Sequence, residues 1–335
     1  MKPIALDAMG GDNMPAAAVE GALVAAQGGV EAVLVGDESR LKAELARLGG
    51  DLDIVHAPDA IGMEEHATDV RRRKQSSVML AMSLVKEGEA SACVSMGHSG
   101  ATMAAALLVL GRLPGVERPA IAASIPTRRG VSVLLDAGAN ADSRPVHLQQ
   151  FAVMGSVFCR ALLGIAQPRV GLMSIGEEAE KGNELTRQAH ELLAVTSAID
   201  FYGNVEGRDL LKGTTDVVVT DGFTGNVVLK LAEGEARELF SWVREALLGS
   251  GPLVKLGAAL VKPALRKVAN RLDPAEYGAQ PLLGVRGNAF IGHGSSDARA
   301  VASALRTAAR AVRQDLTGRI AEGMAQVAEA GTPGA

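Results

Sequence analysis

Aromatic residues and cysteine are scarce in this chain. Phe, Trp and Tyr make up 3% of 335 residues, so the core has to be assembled from Ala, Val, Leu and Ile, with 39 glycines marking tight backbone turns. Cys93 and Cys159 lie in a strand-like and a helix-like apolar run and form no C-x-x-C pair. That excludes a disulfide framework and makes a reducing, cytoplasmic setting the simplest reading. The histidines make no metal pattern. His190 and Glu191 open HELLA, which lacks the second His of a zincin helix, and His56, His66, His98, His147 and His293 have no ligand spacing.

No uninterrupted apolar run reaches the roughly 18 residues of a membrane-spanning helix. The opening MKPIALDAMGGD lacks the apolar stretch and cleavage site of a secretory signal. A net charge of −4 is not the strongly basic balance of a general nucleic-acid binder. The chain also has no G-x-x-x-x-G-K-[ST], no G-x-G-x-x-G after a strand and no G-x-S-x-G. A P-loop, a standard dinucleotide site and an α/β-hydrolase nucleophile are therefore unsupported.

What the chain does have is a repeated alternation. IALDAM, AVLVG, DIVHA, ACVSM, AIAAS, VSVLLDAG, RVGLMSIG, IDFYG and DVVVTDG are β-like runs, each followed by a glycine-rich turn and a helix-like segment. This predicts an α/β fold, a doubly wound, mainly parallel sheet with helices on both faces. The expected organisation is one large catalytic domain over residues 1–335, or two lobes, with an amphipathic basic hairpin inserted at 250–275. From Ala298 to about Val327 the pattern reads as one long Ala- and Arg-rich helix.

In such sheets ligands bind beyond the carboxyl ends of the strands. The candidate ligand-binding residues accordingly lie in six turns: Asp7, Gly10 and Gly11; Gly97, His98, Ser99 and Gly100; Asn140; Asn183; Asp221, Thr224 and Gly225; His293, Ser295 and Ser296. Small residues that expose amides before a helix N-terminus can bind phosphate without a nucleotide motif. Each turn taken alone also reads as ordinary N-capping by Ser, Asp or Asn.

Two residues carry more specific chemistry. Lys181 sits among Glu177, Glu178, Glu180 and Glu184, either as a solvated ion pair or as the cation that neutralises phosphate and stabilises an oxyanion. Asn226 can aim its amide at a substrate carbonyl or serve in capping. Arg71, Arg72, Arg73 and Lys74 precede a helix starting near Ser76, and read as a solvated basic face or as capture of an anionic substrate or acidic carrier protein. In 253–272, Leu253, Leu256, Leu260, Ala264, Val268 and Leu272 fall on one helical face beside Lys255, Lys262, Arg266, Lys267 and Arg271. Pro263 is expected to divide this segment into two short helices. It reads as a membrane-docking face, or as a face turned to the core or a dimer partner.

Taken together, eight ordered segments resemble the bacterial phosphate acyltransferases of phospholipid synthesis, the PlsX proteins. They are IALDAMGGD at 4–12, RRRKQSS at 71–77, LLDAGANADSRP at 134–145, IGEEAEKGNE at 175–184, YGNVEGRD at 202–209, DVVVTDGFTGNVVLK at 216–230, YGAQPLLG at 277–284 and HGSSDARA at 293–300. The resemblance implies transfer of a fatty acyl group from acyl carrier protein to inorganic phosphate, forming acyl phosphate. It also implies a fold similar to phosphotransacetylases and isocitrate-type dehydrogenases, and a homodimer at the cytoplasmic membrane surface. Lys181 and Asn226 fall on the family's proposed active-site Lys and Asn, and no metal or organic cofactor is implied. SMGHSGA at 95–101 departs from the common SAGNTGA, with His98 and Ser99 replacing Asn and Thr, and Ser174 stands where Asn is frequent. The rival readings are a phosphotransacetylase-like enzyme using acyl-CoA, an isocitrate-type NAD-dependent dehydrogenase, and a non-enzymatic membrane scaffold.

Overall fold

The computed structural model describes residues 1–272 and 278–330. The nine β-like runs all become strands, but they divide between two sheets. The first has the order β3 (Ile54–His56), β2 (Ala32–Gly36), β1 (Ile4–Asp7), β4 (Ala92–Ser95), β12 (Ala289–Ile291), β11 (Gln280–Leu283) and β5 (Ala120–Ile121). It is parallel from β3 to β12, and β11 runs antiparallel to both its neighbours. The chain leaves β1 toward β2 and β3 and returns to β4 on the other side. The β1 and β4 turns therefore lie at a topological switch point.

The second sheet has the order β6 (Ala123–Thr127), β7 (Gly130–Leu135), β10 (Val217–Val219), β8 (Arg169–Met173) and β9 (Asp200–Val205), with only the β6–β7 pair antiparallel. AIAAS, which reads as one strand, breaks at Ala122, giving its first half to one sheet and its second half to the other. β5 ends at the carboxyl edge of the first sheet. β6, antiparallel to β7, begins at the carboxyl edge of the second. The two carboxyl edges thus converge on Ile121–Ala123.

Helices cover the sheets with small-residue contacts, as the shortage of aromatics requires. Helix α1 (Ala16–Gln27) packs on α10 (Ala298–Arg313), where a Cβ on Gly21 would stand 2.5 Å from Val301 Cβ. Helix α5 (Pro145–Phe158), which continues as a π-helical turn to Leu163, is apolar enough to cross a membrane. It is instead a core helix, with Leu148, Phe151, Ala152 and Met154 buried.

Two helical expectations need correction. The C-terminal segment is not one helix: α10 stops at Arg313 and α11 (Leu316–Ala330) begins after Asp315. Asp315 takes φ 47° and its carboxylate accepts from the Gly318 amide, so it ends one helix and caps the next. In the opposite sense, α9 (Pro252–Leu272) runs unbroken through Pro263. It contacts α8 (Gly222–Gly249), so the hairpin consists of α8 and α9 joined at Ser250–Gly251, and residues 273–275 of the expected hairpin lie outside the described residues. No residue of α9 is buried. Leu253, Leu256, Leu260 and Val268 are exposed, with Leu253 at 85% and Leu260 at 77%.

Candidate active site

On the first sheet, three turns interlock. Asp7, buried at the end of β1, accepts from the Gly10 amide at 3.2 Å and from Ser95 Oγ at 2.7 Å. Ser95 Oγ in turn accepts from the Gly97 amide at 3.1 Å. A Cβ on Gly10 would lie 2.9 Å from Gly97 Cα, so the two turns meet backbone to backbone. The third turn joins through Asp12, whose amide donates to the Gly294 carbonyl at 2.8 Å, and through Asn13 Nδ2, which donates to the Ser295 and Ser296 carbonyls. Burial pushes the Asp7 carboxyl above its ordinary range, against the lowering effect of these hydrogen bonds.

Several candidates in this half act as caps. His98 Nδ1 accepts from the Ala101 amide at the start of α4 (Ser99–Val109), Ser296 Oγ donates to the His293 carbonyl, and Ser295 Oγ pairs with His293 Nδ1. Asp297 caps α10 through the Ala300 amide. Ser99 and Gly100 open α4 beside the 3-10 turn Ala67–Arg71, where a Cβ on Gly100 would stand 3.0 Å from Ala67 Cβ.

On the second sheet the organiser is Asp136, which opens the turn that holds Asn140 and is not among the candidate ligand-binding residues. Its Oδ1 accepts from the amides of Ile121, Gly138 and Ala139, and its Oδ2 from the Asn140 amide and Nδ2. Burial raises its carboxyl above the ordinary range while these donors oppose the shift. Asn140 Nδ2 also donates to the Pro119 carbonyl, and its own carbonyl receives the Gly222 amide at 2.8 Å. The loop after β7 is thereby locked to the start of α8. Asp221 caps α8, accepting from the Thr224 amide at 2.8 Å and Thr224 Oγ1 at 2.7 Å. Asn226, half-buried one turn later, packs against Gly138.

Lys181 belongs to the turn after β8, the strand beside β10. Its stem passes over Gly176, its carbonyl receives Ser174 Oγ at 3.1 Å, and its exposed ammonium pairs with no carboxylate among the described residues. The surrounding glutamates therefore make no direct ion pair with it. Asn183 caps α6 (Glu184–Ala194) through the Thr186 amide at 2.9 Å. A cavity of about 340 Å³ brings the two turns together, lined by Asp142, Ser143, Asn183, Asp221, Phe223 and Thr224. Ser143 Oγ is buried there without a hydrogen-bond partner among the described residues. Among the described residues no group of three His, Cys, Asp or Glu side chains is placed to ligate a metal.

This architecture has relatives among solved structures. A phosphotransacetylase from Streptococcus pyogenes superposes with a TM-score of 0.63 at 17% identity, covering 93% of this chain and 94% of that one. A 4-hydroxythreonine-4-phosphate dehydrogenase from Klebsiella pneumoniae gives 0.53 at 13% identity, covering 93% and 98%. The fold class is therefore that of the phosphotransacetylase-like α/β proteins. At the level of sequence, the family described as "Fatty acid synthesis protein" matches residues 2–319. A phosphate acyltransferase from Thermus thermophilus is 61% identical over 317 residues, covering 95% of this chain and 97% of the relative. The chain belongs to this phosphate acyltransferase family, and it is an acyltransferase enzyme of fatty acid and lipid synthesis.

Proposed function

We propose that the protein moves a fatty acyl group from acyl carrier protein to inorganic phosphate, with Lys181 and Asn226 as the catalytic pair. Both sheets belong to one catalytic unit in this reading. The observation that carries it is an exposed lysine without an ion-pair partner among the described residues, in the turn after β8, and a half-buried asparagine in the opening turns of α8, which follows the neighbouring strand β10, in a chain of this family. Phosphate is already nucleophilic at neutral pH, so no serine or cysteine nucleophile is required. One phosphate oxygen attacks the thioester carbonyl, and the Lys181 ammonium and Asn226 amide stabilise the tetrahedral oxyanion. Collapse breaks the C–S bond, and the proton carried by hydrogen phosphate ends on the departing thiol. The amides of Gly10, Gly97, Gly138, Gly222 and Gly225 already donate within the protein, so the phosphate is held by other amides of these turns. Asp142 and Asp221 in the cavity wall repel an anion, which favours the uncharged part of the donor there, against Phe223.

The exposed apolar stripe of α9, flanked by Lys255, Lys262, Arg266 and Lys267, supports reversible docking on an anionic membrane at the cytoplasmic face. Such docking delivers a poorly soluble acyl phosphate where lipid synthesis consumes it. Exposed Leu239 and Trp242 on α8 favour a second use of the hairpin, contact with another copy in a homodimer. Turnover on palmitoyl-carrier protein against palmitoyl-CoA tests the donor. A clear preference for the carrier thioester is expected, and equal or better use of the CoA thioester would overturn the choice of donor.

A further inference from the structure

The run Arg71–Lys74 looks uniform in sequence, but the fold divides it. Arg73 is half-buried and engaged on every side. Its Nε donates to Asp59 Oδ2 at 2.7 Å, its Nη2 to the Ala60 carbonyl at 2.7 Å and to Asp59 Oδ1, and its Nη1 to Glu65. It thereby ties together the ends of the connection between β3 and α3 (Ser77–Lys86), with the backbone bridge between Asp59 and Ser76 closing the loop behind it. Arg71, Arg72 and Lys74 are exposed and pair with no carboxylate among the described residues. Of the loop's four acids, Asp59 and Glu65 are held by Arg73, and Glu64 and Asp69 form no ion pair among the described residues.

The closed loop also has a definite place. It starts from β3 at the far edge of the first sheet and crosses that sheet's carboxyl edge. Its Ala67 abuts the Gly100 turn, and its Met63 abuts Gly294, where a Cβ would meet Met63 Cε at 2.6 Å. Three exposed cations without an ion-pair partner among the described residues are thus presented by a pinned loop that abuts two of the first-sheet turns. A cluster of exposed cations held on a rigid loop steers an acidic macromolecule and lowers the ordering cost of binding it.

We propose that Arg71, Arg72 and Lys74 form the docking surface for the acidic face of the carrier protein, with Arg73 as the clasp that fixes the loop and makes no contact with the partner. This inference rests on the carrier protein being the acyl donor. Docking here places the carrier over the first-sheet turns, from which its thioester-bearing arm reaches the convergence of the two sheet edges.

The test uses the full-length triple variant Arg71→Glu/Arg72→Glu/Lys74→Glu with two donors, palmitoyl-carrier protein and palmitoyl-pantetheine, the same thioester without the protein. The variant should raise KM for the carrier substrate at least about tenfold at low salt with kcat little changed, because charges at a contact rim act mainly on encounter. Its kinetics on palmitoyl-pantetheine should equal those of the wild type, which also reports that it is folded. Added salt should raise the wild-type KM for the carrier and leave that of the variant nearly flat. An unchanged carrier KM in the variant, with the wild type preferring the carrier, would overturn the docking surface alone. A wild type that gains nothing from the carrier over palmitoyl-pantetheine would overturn the donor reading, and the docking surface with it.

Discussion

Gly222 lies so close to Asp136 that a Cβ there would stand 2.6 Å from the carboxylate Oδ2 and 2.6 Å from the Asn140 carbonyl oxygen. A Cβ on Gly225 would run into the Asp136 carbonyl oxygen itself. The glycines of DGFTGN are therefore what lets the first turn of α8 press against the loop after β7, with Asn226 riding on that contact. Gly225→Ala should displace this turn, cost about 1–3 kcal/mol of stability by overpacking, and lower kcat more than it raises KM for phosphate. Thermal denaturation with steady-state kinetics checks both parts. Wild-type stability and activity in the variant would show that α8 is not held this tightly.

The Arg73 clasp makes a pH prediction. The hydrogen bond from Arg73 holds the Asp59 carboxyl below the usual carboxylate range, and the Gly62 amide, followed by Arg73, does the same for Glu65. Groups with depressed folded pKa values stabilise the fold at neutral pH and lose that contribution as pH falls through those values. Protection of the Arg72, Arg73 and Ser76 amides against hydrogen exchange, corrected for intrinsic rates, should fall between neutral pH and about pH 3. The Val19 amide of α1 should remain protected over the same range. Parallel loss at both places would mean global unfolding instead of an opened clasp.

For the α8–α9 hairpin, Leu260→Glu places a charge in the exposed stripe without disturbing a buried residue. Wild type should co-sediment with anionic vesicles and release as salt rises, while the variant stays folded and active but binds poorly. Equal binding by both proteins would contradict a membrane role for this face.

The parallel strands were legible because each is a short apolar run closed by a glycine turn, and the same feature located the turns at the carboxyl ends of the strands. Strand β11 was hidden by its Pro281, while β12 went unread although it is as long as β3 and β10. The helix break at Asp315 carries no Gly or Pro at the junction, so helical periodicity reads straight through it. Which turns face each other depends on the break at Ala122, a long-range fact that no local pattern encodes. Asp136 could have been suspected, since the Leu-Asp-Ala that ends β7 repeats the Leu-Asp-Ala that ends β1, and both aspartates brace the turn that follows. His98 and Asp221 serve as caps, so capping and any ligand role share the same turns. For Arg71–Lys74 the sequence shows four equal charges, and only the partners of Arg73 separate the clasp from the exposed three.

The central claim is most directly tested by mixing the protein with palmitoyl-carrier protein and labelled phosphate in the absence of ATP, and measuring labelled acyl phosphate. Wild type should form it. Lys181→Ala should lose several orders of magnitude while remaining folded, because an exposed lysine with no ion-pair partner among the described residues contributes little to stability and much to a charged transition state. Asn226→Ala should lose about 100-fold or more in kcat with a smaller change in phosphate KM. Full activity in Lys181→Ala, or no acyl phosphate from wild type, would contradict the account.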